Sequence, residues 1–395
     1  MTITLVLPQP PAYSETFFNS KIKGLQESGN KVILVTASTS KTYTNCKHKQ
    51  HPEVNQNTLV QLIKMVVVFI SLVPHLKKVI KYIQLEKKEG TSLKRILEKV
   101  YMNSTLLKLK TYWLHFGFAT MAIDRELVAK AIGAKMGVSL RGYDMAVYPL
   151  KDPQCYNLTW KKVDKVHSIS KFLYDKALTN GLSTYTEIEI IHPAVDISKV
   201  KSTDTNQSSN KIIKLITVAR LHWVKGIDDL IETAFLLKQA KIDFEWQVIG
   251  DVDTEDAERY LYHVFQKGLK NEVKFLGKQT HQQTIEFIKT ADVYVQTSLS
   301  EGFCNAVLEA QALGKLCIVS DAEGLSENIL NSETGWVVPR NQPQRLANKI
   351  LKILQLPSIE KIRIQKNAQL RVQDEFNLEK QAKSFSEFYL LIMKN

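Results

Sequence analysis

The chain has 395 residues, with 53 Lys or Arg and 40 Asp or Glu, which gives a formal net charge of +13. At about 100–200 residues per domain, this length predicts two or three domains. The composition, with 44% hydrophobic residues, 16 Gly and 11 Pro, excludes a collagen-like or low-complexity chain and is typical of a globular protein. The four cysteines form no CxxC pair, so neither a zinc site nor a disulfide framework is expected.

Short apolar runs alternate with helical segments in the first half of the chain. The predicted strands are 2–7, 31–36, 112–115, 135–139, 165–168 and 187–191. The predicted helices are 17–28, 119–132 and 171–180. Gly29 and Asn30 tolerate the left-handed backbone that ends many helices, so they mark the end of the first one.

The polar run 201–210 contains no large apolar residue and is the best linker candidate. After it, strands are predicted at 212–218, 245–249, 273–275, 293–296 and 316–319. Helices are predicted at 226–238, 257–267, 279–289, 306–313, 325–330 and 378–393. Strands that alternate with helices indicate βαβ units and parallel sheets. We therefore expect an α/β protein with two Rossmann-like domains and a ligand site at the carboxyl ends of their strands.

The basic excess lies entirely in the first half. Residues 1–200 hold 28 Lys or Arg and 15 Asp or Glu, whereas residues 201–395 hold 25 of each kind. In 47–110 there are 13 basic and 4 acidic residues, interleaved with apolar runs such as 65–70. A solvated basic face and contact with an anionic membrane surface both fit this pattern. Nucleic acid fits less well, because no recognised binding motif accompanies the charge.

The sequence predicts neither a membrane span nor a signal peptide. The longest apolar run, 65–73, has nine residues, and a spanning helix needs about 20. Residues 1–8 lack a basic start and a long apolar stretch, so they are interpreted as a strand.

Two cations follow the predicted strand 212–218. Arg220 stands at the strand end, and Lys225 precedes Gly226 at the start of the next helix. A guanidinium fork and an ammonium point charge at such a place suit a diphosphate. Two exposed cations on a loop are the alternative.

A second polar group follows the predicted strand 293–296. Gly302 lies in the loop, and Asn305 is predicted to cap the next helix. A helix N-terminus offers unpaired backbone N–H groups and a positive dipole end to an anion. Glu309 lies among apolar residues of this helix, where its carboxylate needs a partner such as a ribose diol. Eight helical residues from Glu301 to Glu309 would span about 12 Å, and an amphipathic helix with one surface Glu is the alternative.

A third group, Asp321 to Asn328, follows the predicted strand 316–319 and places Glu327 one turn into the next helix. For each residue alone, an ordinary loop with a capping carboxylate is the alternative. Three such groups in order, each at the carboxyl end of a predicted strand, favour a common ligand site.

Together the three groups carry a family resemblance. Arg-Leu-x-x-x-Lys-Gly at 220–226, Glu-Gly-Phe-x-x-x-x-x-Glu-Ala at 301–310 and Gly-x-x-Glu at 324–327 resemble the retaining GT-B glycosyltransferases of family 4, also called group 1. The resemblance implies the GT-B fold, with two Rossmann-like domains facing across a cleft and a C-terminal helix that returns to the first domain. The expected domains are 1–198 for the acceptor, a linker at 199–211, 212–375 for the nucleotide sugar and the helix at 376–395.

The resemblance extends more loosely into the first half and covers most of the chain. The run 11–17 resembles the first loop of the exopolysaccharide and colanic-acid subgroup, and 115–117 resembles its mid-domain strand end. The run 139–144 stands in the place of the usual His-Gly-x-Asp, with Arg141 where the family often has a His near the reacting carbon. Thr297 replaces a frequent Pro, a change interpreted as structural.

The resemblance also implies roles. Arg220 and Lys225 would neutralise the donor diphosphate as the glycosidic bond breaks, Glu301 would orient the donor sugar, and Arg141 would bind a phosphate or a sugar hydroxyl. The expected catalytic residues are Glu301, Arg220, Lys225 and Arg141. The expected donor contacts are Glu309, which would bind the ribose, and Gly302, Phe303, Cys304, Asn305, Glu327 and Ser14. His115 and Asp144 are expected on the acceptor side.

The implied activity is that of a retaining, hexosyltransferase-type glycosyltransferase (EC 2.4). It would move a sugar from a nucleotide-diphosphate donor to a glycan or a polyprenyl-linked saccharide in cell-surface polysaccharide biosynthesis. No residue stands out as a nucleophile, which favours a front-face reaction in which the leaving phosphate takes the acceptor proton. Since Arg and Lys would neutralise the phosphates, neither a metal nor a cofactor is expected.

Several alternatives remain open. A sugar-nucleotide 2-epimerase or a phosphorylase would use the same fold without a basic, apolar acceptor domain. A catalytically silent sugar-nucleotide-binding partner or scaffold is favoured only by Arg141. The expected location is the cytoplasm, peripheral at the inner face of the plasma membrane, with an anionic membrane surface as a partner of the basic half and no nucleic acid.

Overall fold

The computed structural model describes residues 1–11, 16–197, 212–251 and 256–390. They form two compact units, each built on a parallel β-sheet. The first unit takes Met1–Ile191 and the chain from Gln381 onward, and the second takes His192–Lys380. The divisions therefore follow Ile191 and Lys380, whereas the sequence analysis placed boundaries at 198 and 375. The expected linker 199–211 lies outside the described residues.

The first unit contains a seven-stranded sheet in the order β3-β2-β1-β4-β5-β6-β7, with every neighbouring pair parallel. Its strands are β1 (Thr2–Val6), β2 (Lys31–Thr36), β3 (Lys47–Gln50), β4 (Trp113–Phe116), β5 (Lys135–Leu140), β6 (Lys165–Ser168) and β7 (Glu187–Ile190). The central strands are buried along their length, as expected for a sheet that is covered on both faces.

Nine described helices connect these strands. They are α1 (Thr16–Glu27), α2 (Thr58–Ser71), α3 (Leu76–Lys88), α4 (Leu93–Met102), α5 (Ser104–Leu107), α6 (Val128–Ile132), α7 (Gly142–Ala146), α8 (Asn157–Lys162) and α9 (Lys171–Thr179). Four of them, α2 to α5, lie between β3 and β4, in the segment that carries the basic excess.

The second unit contains a six-stranded parallel sheet in the order β10-β9-β8-β11-β12-β13. Its strands are β8 (Ile213–Val218), β9 (Phe244–Ile249), β10 (Val273–Phe275), β11 (Val293–Gln296), β12 (Leu316–Ser320) and β13 (Trp336–Val338). The later helices are α10 (Ile227–Gln239), α11 (Ala257–Gln266), α12 (His281–Thr290), α13 (Asn305–Ala312), α14 (Pro343–Leu354), α15 (Ser358–Glu375) and α16 (Leu378–Leu390).

Both sheets have the doubly wound Rossmann order. Counted within each unit, the first six strands run 3-2-1-4-5-6. The connections change direction between β1 and β4 in the first sheet and between β8 and β11 in the second. At such a switch point the loops at the carboxyl ends of neighbouring strands diverge, and ligands bind in the crevice that they leave.

The C-terminal helix α16 packs on the first sheet. The Trp113 indole N–H on β4 donates to the carbonyl oxygen of Tyr389 (3.1 Å), and the two rings meet edge to face at 5.5 Å. A Cβ added to Gly24 on α1 would lie 2.7 Å from the Cβ of Ala382, so this glycine lets α16 approach α1 closely. The end of the chain thus completes the core of the first unit.

Two predicted helices differ in the structure. The segment 119–132 is a 3₁₀ turn at Ala119–Ala122 followed by the short α6. Asp124 has φ +65°, a left-handed conformation that no α-helix continues through. Its carbonyl oxygen accepts a hydrogen bond from the buried Asn103 side chain (2.9 Å). The segment 325–330 is a 3₁₀ turn at Glu323–Asn328, whose first residue also has positive φ (+54°).

Candidate functional site

A glycine holds the loop after β8 against the next strand end. A Cβ on Gly250 would lie 2.0 Å from the carbonyl oxygen of Ala219, so only glycine allows the two backbones to come this close. The Leu221 N–H donates to the carbonyl oxygen of Asp251 (3.0 Å). Arg220 lies between these two contacts with an exposed side chain.

The same loop is joined to the loop after β11. Gly226 has φ +63°, and a Cβ there would lie 2.0 Å from the carbonyl oxygen of Thr297. The Thr297 hydroxyl donates to the carbonyl oxygen of Lys225 (3.0 Å), and the Leu299 N–H donates to that of Val224 (2.8 Å). Thr297, which stands where the family often has Pro, therefore fixes the backbone of Lys225.

This junction brings together two of the predicted catalytic side chains. The Lys225 ammonium forms an ion pair with the Glu301 carboxylate, and the two side chains are only 18% and 16% exposed. Burial lowers the pKa of Lys225, but the Glu301 carboxylate outweighs it, and the net pKa lies above the usual value. Lys225 is therefore charged at neutral pH, and a bound diphosphate would share the ammonium with Glu301.

The loop after β11 leads into α13, whose N-terminus is fixed by an amide side chain. Asn328 Oδ1 accepts from the Cys304 N–H, and Asn328 Nδ2 donates to the Cys304 carbonyl oxygen, both at 3.0 Å. The first i→i−4 bond of the helix is donated by Leu308. The N–H groups of Asn305 and Ala306 precede it and are unpaired within the helix. The arrangement suits an anion.

Two expectations about this helix are wrong. The capping residue is Cys304, and Asn305 is the first helical residue. Because the helix begins only at Asn305, the separation of Glu301 and Glu309 is not the rise of about 12 Å expected for eight helical residues. The loop 302–304 instead turns at Gly302 and buries Phe303, which stacks on His192 with ring centroids 5.0 Å apart.

The Cys304 thiol is held in its neutral form. Burial and, to a lesser degree, Glu301 raise its pKa to about 12, against a smaller opposing effect of Lys225. At neutral pH the thiol is therefore protonated, and the thiolate is the form that attacks.

Glu309 already has a partner. Its Oε1 lies 2.8 Å from His281 Nε2 at the start of α12. The carboxylate is 14% exposed and the imidazole 42% exposed, so Glu309 is oriented by a residue that solvent reaches. The sequence interpretation missed His281, because nothing in the sequence around it distinguishes it from a surface His on a helix.

Three further residues that sequence reasoning missed organise the loops after β11 and β12. Glu323 Oε2 accepts from the Ser300 hydroxyl (2.5 Å), and Arg340 Nη1 donates to the carbonyl oxygen of Leu299 (2.6 Å). Arg371 on α15 donates to the carbonyl oxygens of Asn328 (2.9 Å) and Glu327 (3.0 Å). Arg371 thus fixes the backbone that presents Glu327 and the Asn328 amide.

In the first unit, Arg141 lies on aromatic rings. Its Cζ is 4.1 Å from the centroid of Phe17 and 5.0 Å from that of Phe18, within cation–π range. Arg141 caps α7 at the end of β5 and is half-buried. Ser14, the other first-unit residue expected at the donor, lies outside the described residues.

The two predicted acceptor-side residues are fully buried. His115 Nε2 lies 2.8 Å from Ser139 Oγ, and Nδ1 lies 2.9 Å from the Tyr389 hydroxyl. Burial lowers the pKa of His115 well below its usual value, and the nearby Lys21 ammonium adds to this effect, so the ring is neutral. In this conformation the ring joins β4 to β5 and α16, and its contact with an acceptor stays a prediction.

Asp144 supports the turn after β4. Its Oδ2 accepts from the Ala119 N–H and its Oδ1 from the Thr120 hydroxyl, both at 2.9 Å. Burial raises the pKa of this carboxyl to about 6, although the hydrogen bonds oppose the shift. Asp144 is 1% exposed, and its contact with the sugar acceptor also stays a prediction.

Among the described residues, no group of three or more His, Cys, Asp or Glu has the arrangement of a metal site. The sequence interpretation overlooked Asp251-Val252-Asp253, which has the Asp-x-Asp spacing found in metal-dependent transferases. Asp253 lies outside the described residues, and the expectation that no metal takes part stays a prediction.

Comparison with known proteins shows which proteins this chain resembles. Residues 200–371 match the family model described as Glycosyl transferases group 1. The chain is 29% identical over 239 residues to an uncharacterised glycosyltransferase, MJ1069, of Methanocaldococcus jannaschii, covering 59% of each chain. It is 24% identical over 275 residues to the amylovoran biosynthesis glycosyltransferase AmsK of Erwinia amylovora, covering 67% of this chain and 66% of AmsK. The aligned regions thus span less than two thirds of the length of these two relatives.

A third relative has a more specific name. The chain is 30% identical over 183 residues to the N,N'-diacetylbacillosaminyl-diphospho-undecaprenol alpha-1,3-N-acetylgalactosaminyltransferase of Campylobacter jejuni, covering 46% of this chain and 45% of the relative. Among solved structures, the sucrose-phosphate synthase of Thermosynechococcus elongatus matches with a TM-score of 0.76 at 18% identity, covering 99% of this chain and 98% of that one. The fold of the chain is GT-B, as expected from the sequence.

Proposed function

We propose that the chain is a retaining glycosyltransferase, because residues 200–371 match the family model described as Glycosyl transferases group 1. It would transfer a hexose-type sugar from a nucleotide-diphosphate donor to a saccharide, and it would act in the biosynthesis of a cell-surface polysaccharide. AmsK, one of the relatives, is named for amylovoran biosynthesis.

One observation carries the proposal. The Lys225–Glu301 ion pair is held by the loops after β8 and β11, the two strands at the switch point of the second sheet. Glu301 lies in the loop that leads into α13. The first backbone N–H groups of that helix have no partner within the helix. A cation, a carboxylate and a helix N-terminus at that point provide contacts for a diphosphate and for the hydroxyl groups of a sugar.

In the proposed reaction the bond between the anomeric carbon and the phosphate oxygen breaks, and its electron pair stays on the phosphate. Lys225, Arg220 and the N-terminus of α13 stabilise the charge that develops there. The acceptor oxygen bonds to the anomeric carbon on the same face, and its proton passes to the leaving phosphate oxygen. The neutral Cys304 thiol fits this route, because it offers no enzyme nucleophile for a covalent intermediate.

Glu309 is proposed to bind the ribose of the donor. A ribose diol offers two O–H donors, and the Glu309 carboxylate, paired by His281 on one oxygen, has further acceptor positions. His281 would orient the carboxylate as the donor enters. In the same proposal Glu301 orients the donor sugar, and Arg141 binds a phosphate or a sugar hydroxyl.

The acceptor is proposed to be a polyprenyl-linked saccharide at the cytoplasmic face of the plasma membrane. The Campylobacter jejuni relative is named for a diphospho-undecaprenol acceptor, and the first half of this chain carries the entire basic excess. Anionic lipids attract such a surface. The chain would therefore work as a peripheral protein on an anionic membrane surface.

The test is a panel of UDP- and GDP-sugars, with released nucleotide measured over time. Lys225→Ala and Glu309→Ala are compared with Lys352→Ala and Glu258→Ala, which remove a charge of the same sign from exposed positions on α14 and α11. We expect release from one donor, lost in the first two variants and retained in the controls.

Release that survives in both Lys225→Ala and Glu309→Ala would contradict the assigned site. No release from any donor, with nucleotide still bound, would instead favour the silent sugar-nucleotide-binding partner. The comparisons do not favour that alternative, because the three relatives described above are named as glycosyltransferases.

A further inference from the structure

Helix α2 exposes apolar side chains where an ordinary surface helix exposes polar ones. All of its residues are described, and none of its side chains is buried. Four of its apolar residues are strongly exposed: Leu59 (73%), Ile63 (65%), Val66 (57%) and Ile70 (65%). They recur at i, i+4, i+7 and i+11, so they form one stripe along the helix. This stripe faces outward, where a surface helix normally presents polar side chains.

The apolar surface continues beyond α2. Val73 in the following 3₁₀ turn and Leu76 and Ile80 on α3 are 56%, 50% and 50% exposed. We call the exposed apolar side chains of 59–80 the apolar face. It is contiguous along the chain over two helices, and exposed apolar surfaces of this extent mark interaction sites in folded proteins.

Cations border the apolar face. Lys77 and Lys81 are exposed on α3 beside Leu76 and Ile80, and the Lys108 ammonium donates to the Ser71 hydroxyl at the end of α2 (2.7 Å). Burial lowers the pKa of His75, and the ammonium groups of Lys78, Lys108 and Lys49 lower it further.

The same crowding acts among the lysines. Burial lowers the pKa of Lys78 and of Lys108, and the neighbouring ammonium groups of Lys110 and Lys49, respectively, add to the effect. Like charges held this close repel one another. A surface that supplies anions would relieve the repulsion while it covers the apolar face.

Resting on the proposed function, which gives the enzyme a lipid-linked acceptor, we propose that the apolar face docks on an anionic lipid bilayer, with the surrounding lysines at the level of the phosphate groups. A lipid surface satisfies both features, because it offers hydrocarbon beneath a layer of anions. A second copy of the chain fits less well, since a two-fold contact sets each surface against itself and would bring the lysine clusters together.

The packing of α3 favours a position in the interface. No single described helix is long and apolar enough to cross a membrane, and α2 meets that test only together with 73–88, at a bend of 51°. The inner side of α3 is fixed to the protein by buried Val79 and Tyr82 and by the Glu86–Lys99 ion pair (2.9 Å). Only the outer side of α3 is available to a membrane. Helix α2, which is about 21 Å long, would therefore lie along the membrane surface.

The test is co-sedimentation of the full chain with vesicles, without donor or acceptor. One set contains phosphatidylcholine alone, and the other contains phosphatidylcholine with about one quarter phosphatidylglycerol. We expect binding to the anionic vesicles, weaker binding to the neutral ones and release at high salt. The combined variant Ile63→Gln, Val66→Gln and Ile70→Gln should lower binding at least about tenfold.

The matched control is Leu261→Gln, Tyr262→Gln and Phe265→Gln on α11, which removes three side chains of similar exposure (54%, 60% and 57%) from the second unit. A second pair tests the charge: Lys77→Gln with Lys81→Gln should weaken binding about fivefold per residue. Lys352→Gln with Lys366→Gln, at exposed positions on α14 and α15, should not. All the altered side chains are exposed, so the fold is expected to survive, and circular dichroism checks it.

Wild-type protein that binds neither vesicle, or an α2 variant that binds as well as wild type, would overturn the proposal. So would binding that resists both high salt and alkaline carbonate, since this indicates a spanning segment. A dimer detected by light scattering and lost in the α2 variant would assign the face to a second copy instead. Because no sugar donor is present, these outcomes are separate from those of the nucleotide-release assay.

Discussion

The carboxyl ends of the two sheets use their polar residues differently. In the second unit, Arg220, Lys225, Glu301 and Glu309 lie in or next to loops at the switch point, where solvent reaches at least part of each side chain. In the first unit, the polar residues expected on the acceptor side are His115 within β4 and Asp144 on α7, which are 0% and 1% exposed. Two sheets of the same strand order therefore present partly exposed charged side chains in one unit and buried, hydrogen-bonded side chains in the other.

The difference follows from what covers each sheet end. In the first unit, α16 brings Tyr389 against His115, and the turn 119–122 brings backbone N–H groups to Asp144. Buried polar side chains are retained when their hydrogen bonds are satisfied. In the second unit the loops contact one another through Gly226 and Thr297, which leaves the side chains of Arg220 and Glu309 at the rim. A residue at the carboxyl end of a strand thus indicates a ligand site only if no other element packs on that residue.

The largest effect is expected for Lys225→Ala. Loss of the cation that stabilises the leaving diphosphate should reduce the rate of donor cleavage by about 10²–10³-fold. The measurement is nucleotide release at saturating donor. Lys225→Arg should recover part of the rate, because it restores the charge with a different shape. If the rate of nucleotide release in Lys225→Ala falls by less than about tenfold, the Lys225–Glu301 ion pair is structural, like the buried residues of the first unit.

In the first unit, the expected signature is a change of stability with pH. The pKa of Asp144 is about 6 in the fold and about 3.9 in an unfolded chain. Between these values the folded state retains a proton that the unfolded state has lost, so the contribution of Asp144 to stability decreases as pH rises from about 4 to 6. The size of this contribution is about 2–3 kcal/mol.

Asp144→Asn removes that titration. Relative to wild type, the variant should gain about 2–3 kcal/mol in unfolding free energy as pH rises from 4 to 7, measured by urea denaturation at several pH values. Asp152→Asn, at an exposed position in the same unit, is the matched control and should show no such trend. A difference between Asp144→Asn and wild type that does not change with pH would mean that the carboxyl is ionised throughout.

Much of the fold was predictable because strand and helix periods are strong signals. The predicted central strands 2–7, 135–139 and 165–168 coincide with β1, β5 and β6 to within one residue. By contrast, β3 was missed because Lys47-His48-Lys49-Gln50 has no apolar residue, and an edge strand does not need one. The helix predicted across 119–132 failed because Asp144 and Asn103, distant in sequence, fix its turns.

The site was predictable where side chains and glycines form short motifs, as in Arg220 to Gly226. It was not predictable where a contact depends on tertiary structure. Asn328 lies 24 residues from its partner Cys304, and Arg371 lies 43 residues from its partner Asn328. Single-sequence patterns carry no information about such pairs. The burial of His115 was also not predictable, because α16, which covers it, is distant from it in sequence.

A smaller effect is expected for Asn328→Ala in the second unit. The change removes both hydrogen bonds to the Cys304 backbone in a fully buried position. At about 1 kcal/mol for each bond, the free energy of unfolding should decrease by about 2 kcal/mol. The N-terminus of α13 would also lose its orientation, so the KM for the donor should rise more than kcat falls. The control is Asn348→Ala, at an exposed position on α14, which should change neither.

The smallest effect is expected for Tyr389→Phe. The Tyr389 hydroxyl lies 2.9 Å from His115 Nδ1, and its removal leaves one buried ring nitrogen without that partner while the aromatic packing on Trp113 is retained. A net loss of about 1 kcal/mol in unfolding free energy is expected from urea denaturation. Tyr262→Phe, at an exposed position on α11, should have no effect. If nucleotide release falls in Tyr389→Phe without a change in stability, His115 takes part in the reaction, and the difference between the two sheet ends is smaller than their burial indicates.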